Sequence, residues 1–169
     1  MDFSLRQLMS EKFCLACKGC CRFKESHSSW RPKVYASEDK IFKHEAFEKN
    51  FLDCQGHVAT RVSAEEHVCL FLDSLTNECQ VYQARPFECA LYPFILVKSQ
   101  EGLFLAVHLA CPFIQENQSS ELVEKHSSYL KKFFNQKTVQ QFLKAHIEEI
   151  SSSHISEDEM QTLFCILPQ

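Results

Sequence analysis

Residues 13–23 read F-C-L-A-C-K-G-C-C-R-F and contain four cysteines within eight positions: Cys14, Cys17, Cys20 and Cys21. Thiolates separated by two residues can reach the same tetrahedral ion, which explains the recurrence of C-x-x-C pairs in zinc sites. Three cysteines at this spacing also match the first three ligands of a cubane iron–sulfur cluster. The stretch therefore predicts a metal site made of thiolates.

Two of these cysteines, Cys20 and Cys21, are adjacent, and this limits how they share a metal. Successive side chains point to opposite sides of an extended segment and lie about a hundred degrees apart in a helical turn. One ion is therefore a poor match for both sulfurs. Either the pair serves two separate four-thiolate sites, or it serves one polynuclear cluster in which different metals take the two sulfurs.

Further cysteines continue the pattern along the chain. Cys69, Cys79 and Cys89 follow at ten-residue steps, and Cys111 is followed by proline, as is the remote fourth ligand of bacterial ferredoxins. All-sulfur ligation suits zinc, iron–sulfur clusters or copper(I), and it excludes magnesium and calcium. The predicted cofactor is zinc or an iron–sulfur cluster. Cys54 and Cys165 lie outside the pattern and are interpreted as small buried hydrophobes or free thiols.

The composition describes one soluble globular domain: 169 residues, of which 45% are hydrophobic and 24% charged. The net charge of −4, without a long basic run, argues against a nucleic-acid partner. No basic leader and no long apolar run is present, so we predict a cytoplasmic protein without a membrane partner. Clustered thiols in that compartment more often bind metal than form a disulfide framework, which is the alternative. Metal ions are the predicted partners, and a protein partner is left open.

The pattern of apolar residues predicts an α+β fold, a single small domain over residues 1–169 with a cysteine-rich metal-binding core, a β-hairpin and a helical C-terminal cap. The metal-binding region spans 10–115 and the C-terminal helices span 118–167. Residues 94–98 and 103–109, separated by S-Q-E-G, predict the hairpin.

Helices are predicted at both ends of the chain and between its cysteines. Leu5, Leu8 and Met9 indicate a helix over 3–12, Ser37 opens a helix that runs to 49, and Pro86 opens a third. The C-terminal cap has three helices. Their apolar stripes are Leu122, Val123, His126, Tyr129, Leu130, Phe133 and Phe134; Val139, Phe142, Leu143, His146, Ile147 and Ile150; and, after a cap at Ser156, Met160, Leu163, Phe164 and Leu167.

Four basic residues lie near the candidate ligands in sequence: Lys18, Arg22, Lys24 and Arg85. Four thiolates around one zinc ion carry about −2 together, so nearby cations would offset that charge. Arg85 adjoins the helix start at Pro86, whose N–H groups favour an anion such as the thiolate of Cys89.

Taken together, the motifs resemble the YkgJ-type cysteine-cluster family, whose members are described as zinc- or iron-chelating domains with a C-x-x-C-x-x-C-C motif. The matching segments are F-C-L-A-C-K-G-C-C, C-L-F-L-D, C-Q-V-Y-Q-A-R-P-F-E-C-A-L-Y-P-F and A-C-P, in this order over roughly residues 10–115. The resemblance implies eight metal ligands: Cys14, Cys17, Cys20, Cys21, Cys69, Cys79, Cys89 and Cys111. It implies supporting roles for Tyr82, Arg85, Pro86, Tyr92 and Pro93. The chain departs from the family pattern at Ala90, where arginine is common, and at Phe113, where glycine is common.

Two function classes follow. The first is a metal-binding protein that coordinates zinc or an iron–sulfur cluster through eight cysteines. The alternative is a metal-cluster enzyme or electron carrier acting on a protein substrate, since relatives of the family include flagellin lysine N-methylases. The three glycines, Gly19, Gly56 and Gly102, are too scattered for a dinucleotide or phosphate loop, and no catalytic residue is predicted. A thiol-redox role fits less well, because overlapping C-x-x-C pairs favour ligation.

Overall fold

The computed structural model describes four stretches of the chain, residues 5–17, 19–38, 51–150 and 157–168. Of these residues, 9–90 form one compact unit, here the N-terminal unit, and 91–168 with 5–8 form a second, the C-terminal unit. The α+β class is confirmed, and the prediction of one domain over 1–169 stays a prediction. Residues 39–49 of the helix predicted after Ser37 lie outside the described residues.

The N-terminal unit is built from short elements joined by turns. They are α1 (Glu11–Cys17), β1 (Arg22–Phe23), β2 (Thr60–Ser63), β3 (Glu66–Cys69), a 3-10 turn (Tyr82–Ala84) and α2 (Phe87–Leu91). The three strands form an antiparallel sheet in the order β1-β3-β2. Arg22 pairs with Val68 and Thr60 with Cys69, so β3 lies in the centre of the sheet and ends at a cysteine.

A hydrophobic core lies beneath this sheet. Its buried members are Phe23, Val34, Phe51, Val58, Val68, Cys69, Phe71, Leu72 and Val81. Cys21 and Cys79 pack against it, so three cysteines contact the core directly. Arg31, only 4% exposed, forms a 2.7 Å ion pair with Asp53 and thereby anchors the connection that carries Val58. An Arg–carboxylate pair of this kind satisfies a charge that would be costly to bury alone.

The first helix does not lie where the apolar spacing predicts it. Residues 5–10 are not helical, and α1 begins at Glu11, so the predicted helix over 3–12 is wrong. The Ser10 hydroxyl accepts a 3.3 Å hydrogen bond from the Phe13 N–H, and the Ser10 carbonyl accepts one of 3.2 Å from Cys14. These bonds satisfy N–H groups of the first turn, so the helix start is set by a serine cap.

The C-terminal unit consists of longer elements. They are β4 (Phe94–Ser99), β5 (Gly102–His108), α3 (Pro112–Asn117), α4 (Glu121–Phe134), α5 (Lys137–Ala145), a 3-10 turn (Glu157–Glu159) and β6 (Met160–Pro168). The strands form an antiparallel sheet in the order β4-β5-β6, and the predicted hairpin is confirmed in β4 and β5. Gly102 opens β5 at φ +137°, and a Cβ there would collide with the carbonyl of Leu167.

Helices α4 and α5 confirm the first two of the three helices predicted over residues 118–167, and α3 precedes that range. The Ser120 hydroxyl caps α4 by accepting from the Val123 N–H at 3.3 Å. The buried faces agree with the first two predicted stripes: Val123, His126, Leu130, Phe133 and Phe134 on α4, and Val139, Phe142 and Leu143 on α5. Leu122, which the first stripe included, is 50% exposed. No helix in the described stretches is both long enough and apolar enough to cross a membrane.

The third predicted helix of the cap is wrong, because residues 160–168 form β6. This strand pairs with β5 along its length, from Met160 opposite His108 to Pro168 opposite Gly102. Two register irregularities interrupt the ladder. Such bulges break a strict two-residue alternation of buried and exposed side chains. The apolar residues of β6 therefore imitate helical spacing, while pairing with β5 decides its structure.

Candidate metal centre

Seven of the eight predicted ligands lie in the N-terminal unit, on four chain segments. Cys14 and Cys17 are on α1, and Cys20 and Cys21 are in the turn between α1 and β1. The remaining three are distributed over the other segments, with Cys69 at the end of β3, Cys79 after the turn that follows it and Cys89 on α2. Cys14, Cys17, Cys21, Cys79 and Cys89 are half-buried, Cys69 is buried and Cys20 is exposed.

Backbone pairing brings the first three of these segments together. The Cys69 N–H donates a 2.9 Å hydrogen bond to the Cys21 carbonyl, which continues the β1–β3 pairing beyond the strands. An isolated bridge pairs Leu72 with Cys79. The chain reverses between these two residues because the Asp73 carboxylate accepts from the Leu75 and Thr76 N–H groups, at 2.8 and 3.2 Å. Both Cys21 and Cys79 thus reach the neighbourhood of Cys69.

Two buried carboxylates hold the fourth segment, α2. Glu38 accepts from the Phe87 N–H at 2.7 Å and from the Tyr35 N–H at 3.0 Å. Glu88 accepts from the Tyr35 hydroxyl at 2.9 Å and from the Lys33 N–H at 2.8 Å. Together these bonds fasten α2, and with it Cys89, to residues 33–38.

The anion at the start of α2 is therefore Glu38, whereas the sequence predicted the thiolate of Cys89. The helix itself begins at Phe87, one residue after Pro86, whose carbonyl accepts from the Ala90 N–H at 3.0 Å. Glu38 and Glu88 were missed by sequence reasoning. Glu88, an acidic residue in the first turn after Arg85-Pro86, was the available signal.

Cys20 is the thiol that interacts with cysteines from every segment. Its thiol makes a hydrogen bond to Cys21, and its charge interacts with those of four further cysteines: Cys14, Cys69, Cys79 and Cys89. These partners come from all four segments. Cys14 also interacts with Cys17, so all seven predicted ligands in the unit belong to one electrostatic group, which does not include Cys54.

Burial and mutual repulsion raise the pKa of five thiols of this group: Cys14, Cys20, Cys69, Cys79 and Cys89. Burial is the largest cause that raises the pKa of Cys14, Cys79 and Cys89, and it raises the pKa of Cys69 to about 12. For Cys20 the hydrogen bond to Cys21 raises the pKa most, and burial of the thiol adds to it, although the residue as a whole is exposed. A metal that binds here must release these protons, since the thiolate is the ligand.

Arg85 supplies the positive charge that the sequence predicted near the ligands. Its guanidinium lies 3.5 Å over the ring of Tyr82, and its Nε donates to the Tyr82 carbonyl at 2.9 Å. Arg85 lowers the pKa of Cys14, Cys20 and Cys79, against the larger effect of burial. Arg22 acts elsewhere, because it pairs with Glu66 at 3.0 Å and donates to Asn77 at 2.8 Å.

The chemistry of the donor set fits zinc or an iron–sulfur cluster, since sulfur is the ligand atom that both prefer. Within the described part of the chain, no three Cys, His, Asp or Glu side chains already enclose an ion. The thiols are thus close enough to perturb one another's ionisation without forming a closed shell. Coordination would have to draw them together, and the turn that carries Cys20 and Cys21 is the segment suited to that adjustment.

The eighth predicted ligand, Cys111, belongs to the C-terminal unit. It is buried at the residue before α3, with Pro112 at the first helical position, and it follows β5 as predicted. The Cys111 N–H donates to the His108 carbonyl at 3.3 Å, and the Cys111 carbonyl accepts from Gln115 at 2.9 Å. The Nδ1 atom of His108 is 3.0 Å from the Tyr92 hydroxyl.

The two cysteines outside the pattern, Cys54 and Cys165, are exposed, so the prediction that they are buried is wrong and the free-thiol interpretation applies. All ten cysteines lie in the described stretches, and none of them is in a disulfide.

A unit that gathers soft sulfur donors from four chain segments has the character of a metal-chelating cysteine domain. The family model described as "CxxCxxCC: Putative zinc- or iron-chelating domain" matches residues 13–145. The chain belongs to this family, which confirms the resemblance drawn from its motifs and makes metal binding its function class. No curated protein and no solved structure matches the chain.

Proposed function

We propose that this protein binds zinc or an iron–sulfur cluster through eight cysteine thiolates. The ligands are Cys14, Cys17, Cys20, Cys21, Cys69, Cys79, Cys89 and Cys111. The observation that carries the proposal concerns Cys20. Its thiol interacts electrostatically with cysteines from all four segments of the N-terminal unit.

One shared centre accounts for this arrangement better than two independent sites in the N-terminal unit. Two separate four-thiolate sites would divide the cysteines into groups that affect one another weakly. Cys20 instead interacts with Cys14 on α1, Cys69 on β3 and Cys89 on α2. A polynuclear centre also accommodates the adjacent sulfurs of Cys20 and Cys21, because different metals can take them.

The residues of the unit prepare the site in two ways. Glu38 and Glu88 fix α2, so that the position of Cys89 is set before metal arrives. Arg85 offsets part of the negative charge that develops as the thiols lose their protons. The bound group would cross-link segments that are far apart in sequence, and its binding free energy would then count as folding free energy.

Anaerobic purification, followed by elemental analysis and a visible spectrum, tests the proposal. A colourless protein with stoichiometric zinc would assign zinc and exclude the cluster. Iron, acid-labile sulfide and broad absorbance near ~400 nm would assign an iron–sulfur cluster and exclude zinc. A chain that retains neither metal, even after reconstitution with zinc or with ferrous iron and sulfide, would contradict the proposed function.

A further inference from the structure

A solvent-open groove of about 230 Å³ lies beside the cysteine group, entirely within the N-terminal unit. Its walls are Glu11 at the start of α1 and the segment 79–84. Cys79 forms part of the lining, so the groove adjoins one residue of the cysteine group. The groove therefore joins the solvent to a member of the cysteine group.

Tyr82 connects this groove to a second thiol. It is a residue of the groove wall, and its side chain makes a hydrogen bond to the Cys14 thiol. The guanidinium of Arg85 lies over its ring at 3.5 Å. One residue of the groove wall thus contacts Cys14 directly.

The size and charge of the groove suit a hydrated metal ion. Water occupies about 30 Å³ per molecule in the liquid, so the groove has room for roughly seven waters, enough for a divalent ion with its first shell. Glu11 is exposed and places a carboxylate on the groove wall, where it attracts a cation. Beyond it lie a carboxylate-free lining and the thiol of Cys79, which can replace the waters of the ion.

We propose that the groove between Glu11 and segment 79–84 is the route by which a divalent metal ion enters and leaves the cysteine group. Glu11 attracts the ion, Cys79 is the first thiol that it meets, and Tyr82 connects the groove to Cys14. The inference rests on the proposed function, because it assigns an entrance to the same metal centre. Since uptake and release follow one path in opposite directions, blocking the groove must slow both and leave the final metal content unchanged.

The test uses Zn²⁺ and the full chain, stripped of metal and kept reduced under anaerobic conditions. Gln83 and Gln80 are exposed residues on the groove wall, so Gln83→Trp and, as a second variant, Gln80→Trp narrow the groove without altering a cysteine. Gln55→Trp is the matched control, because Gln55 is an exposed glutamine of the same unit outside the groove. Zinc uptake and its release to an excess of a chromophoric chelator are followed by stopped flow, and circular dichroism verifies folding.

We expect each groove variant that folds to slow uptake and release about tenfold at equal zinc content, with Gln55→Trp unchanged. Glu11→Gln should slow uptake about twofold to fivefold at low ionic strength and lose this effect at high salt. Rates equal to those of the unaltered chain would overturn the route and favour direct entry at the exposed Cys20. Reduced zinc content in both groove variants would also overturn it, since the groove would then be part of the ligand shell. An unaltered chain that takes up no zinc would contradict the proposed function itself, and the route with it.

Discussion

The two units of this protein differ in the length of their helices and strands. The strands of the N-terminal unit are two to four residues long and its helices seven and five. In the C-terminal unit the strands have six to nine residues, and α4 has fourteen. Helices of five to seven residues are marginal in water without tertiary support, whereas a three-stranded sheet packed against a long helix can form an ordinary core.

This difference explains where the thiols lie. Seven of the eight cysteines in this unit are predicted ligands, and they lie on segments that short strands, turns and isolated bridges connect. The C-terminal unit buries apolar residues on β5 and α4. We therefore expect the N-terminal unit to owe its stability to metal and the C-terminal unit to owe its stability to burial.

Metal removal should produce the largest effect and should distinguish the two units most clearly. Structural zinc contributes about 10–16 kcal/mol in zinc-finger peptides, more than the net stability of most domains. Stripping the metal with a chelator should lower hydrogen-exchange protection in β1 and β3 much more than in β4, β5 and α4. Mass spectrometry of the exchanging amides resolves the two units. Equal loss in both units, or no loss in either, would contradict the distinction.

A core truncation in the C-terminal unit should give the next largest effect. Leu105, in the central strand β5, has no exposed surface, so Leu105→Ala should cost about 2–5 kcal/mol of unfolding free energy. Metal content should not change. Leu122→Ala is the control, because Leu122 is 50% exposed and its truncation should stay within about 0.5 kcal/mol. Chemical denaturation of both variants measures the unfolding free energy, and elemental analysis measures the metal content.

Loss of a carboxylate that holds α2 should have a smaller effect, confined to the N-terminal unit. Glu38→Ala leaves the N–H groups of Tyr35 and Phe87 without their acceptor, at about 1–3 kcal/mol for a buried donor. Because α2 carries Cys89, metal affinity should fall together with stability. Glu65→Ala, at an exposed turn position, should change neither. Unchanged zinc competition by Glu38→Ala would mean that α2 keeps its place without this bond.

Acid should destabilise the C-terminal unit slightly, through His126. Burial, and then the charge of Arg6, lower the pKa of His126 to about 4 from 6.5. The unfolded chain therefore takes up a proton below pH 6.5 that the folded chain does not, so stability falls between pH 6.5 and 4 and levels off below. The loss at pH 5 is on the order of 1–2 kcal/mol. His126→Phe keeps the stacking on Phe94 and should reduce the difference in unfolding midpoint between pH 7.5 and pH 5; an unchanged difference would exclude His126 as its source.

Local sequence patterns predicted the elements that depend on contacts between residues close together in the chain. The turn S-Q-E-G between apolar runs predicted the β4–β5 hairpin, and helical spacing predicted the buried face of α4. Helical spacing failed for β6, because a bulged strand can present apolar residues at irregular intervals and the open edge of β5 lies far away in sequence. It failed again before α1, where Ser10 sets the helix start.

The candidate site likewise contains residues that the sequence indicated and residues that it did not. The cysteines were predictable because thiols at ligand spacing have a chemical meaning that survives without a structure. Glu38 and Glu88 were not, because a carboxylate that caps a distant helix or accepts from a distant hydroxyl leaves no local pattern. Arg85 was recognised as a cation near the ligands, whereas its position over the ring of Tyr82 depends on the 3-10 turn that joins them.

The metal content of matched cysteine variants is the most direct test of ligation by the eight cysteines. Cys14→Ser and Cys89→Ser remove predicted ligands, whereas Cys54→Ser and Cys165→Ser remove exposed thiols outside the group. Elemental analysis of the four proteins, purified anaerobically beside the unaltered chain, should give reduced metal in the first pair and full metal in the second. Full metal in both members of the first pair, or equal losses in all four proteins, would contradict the account.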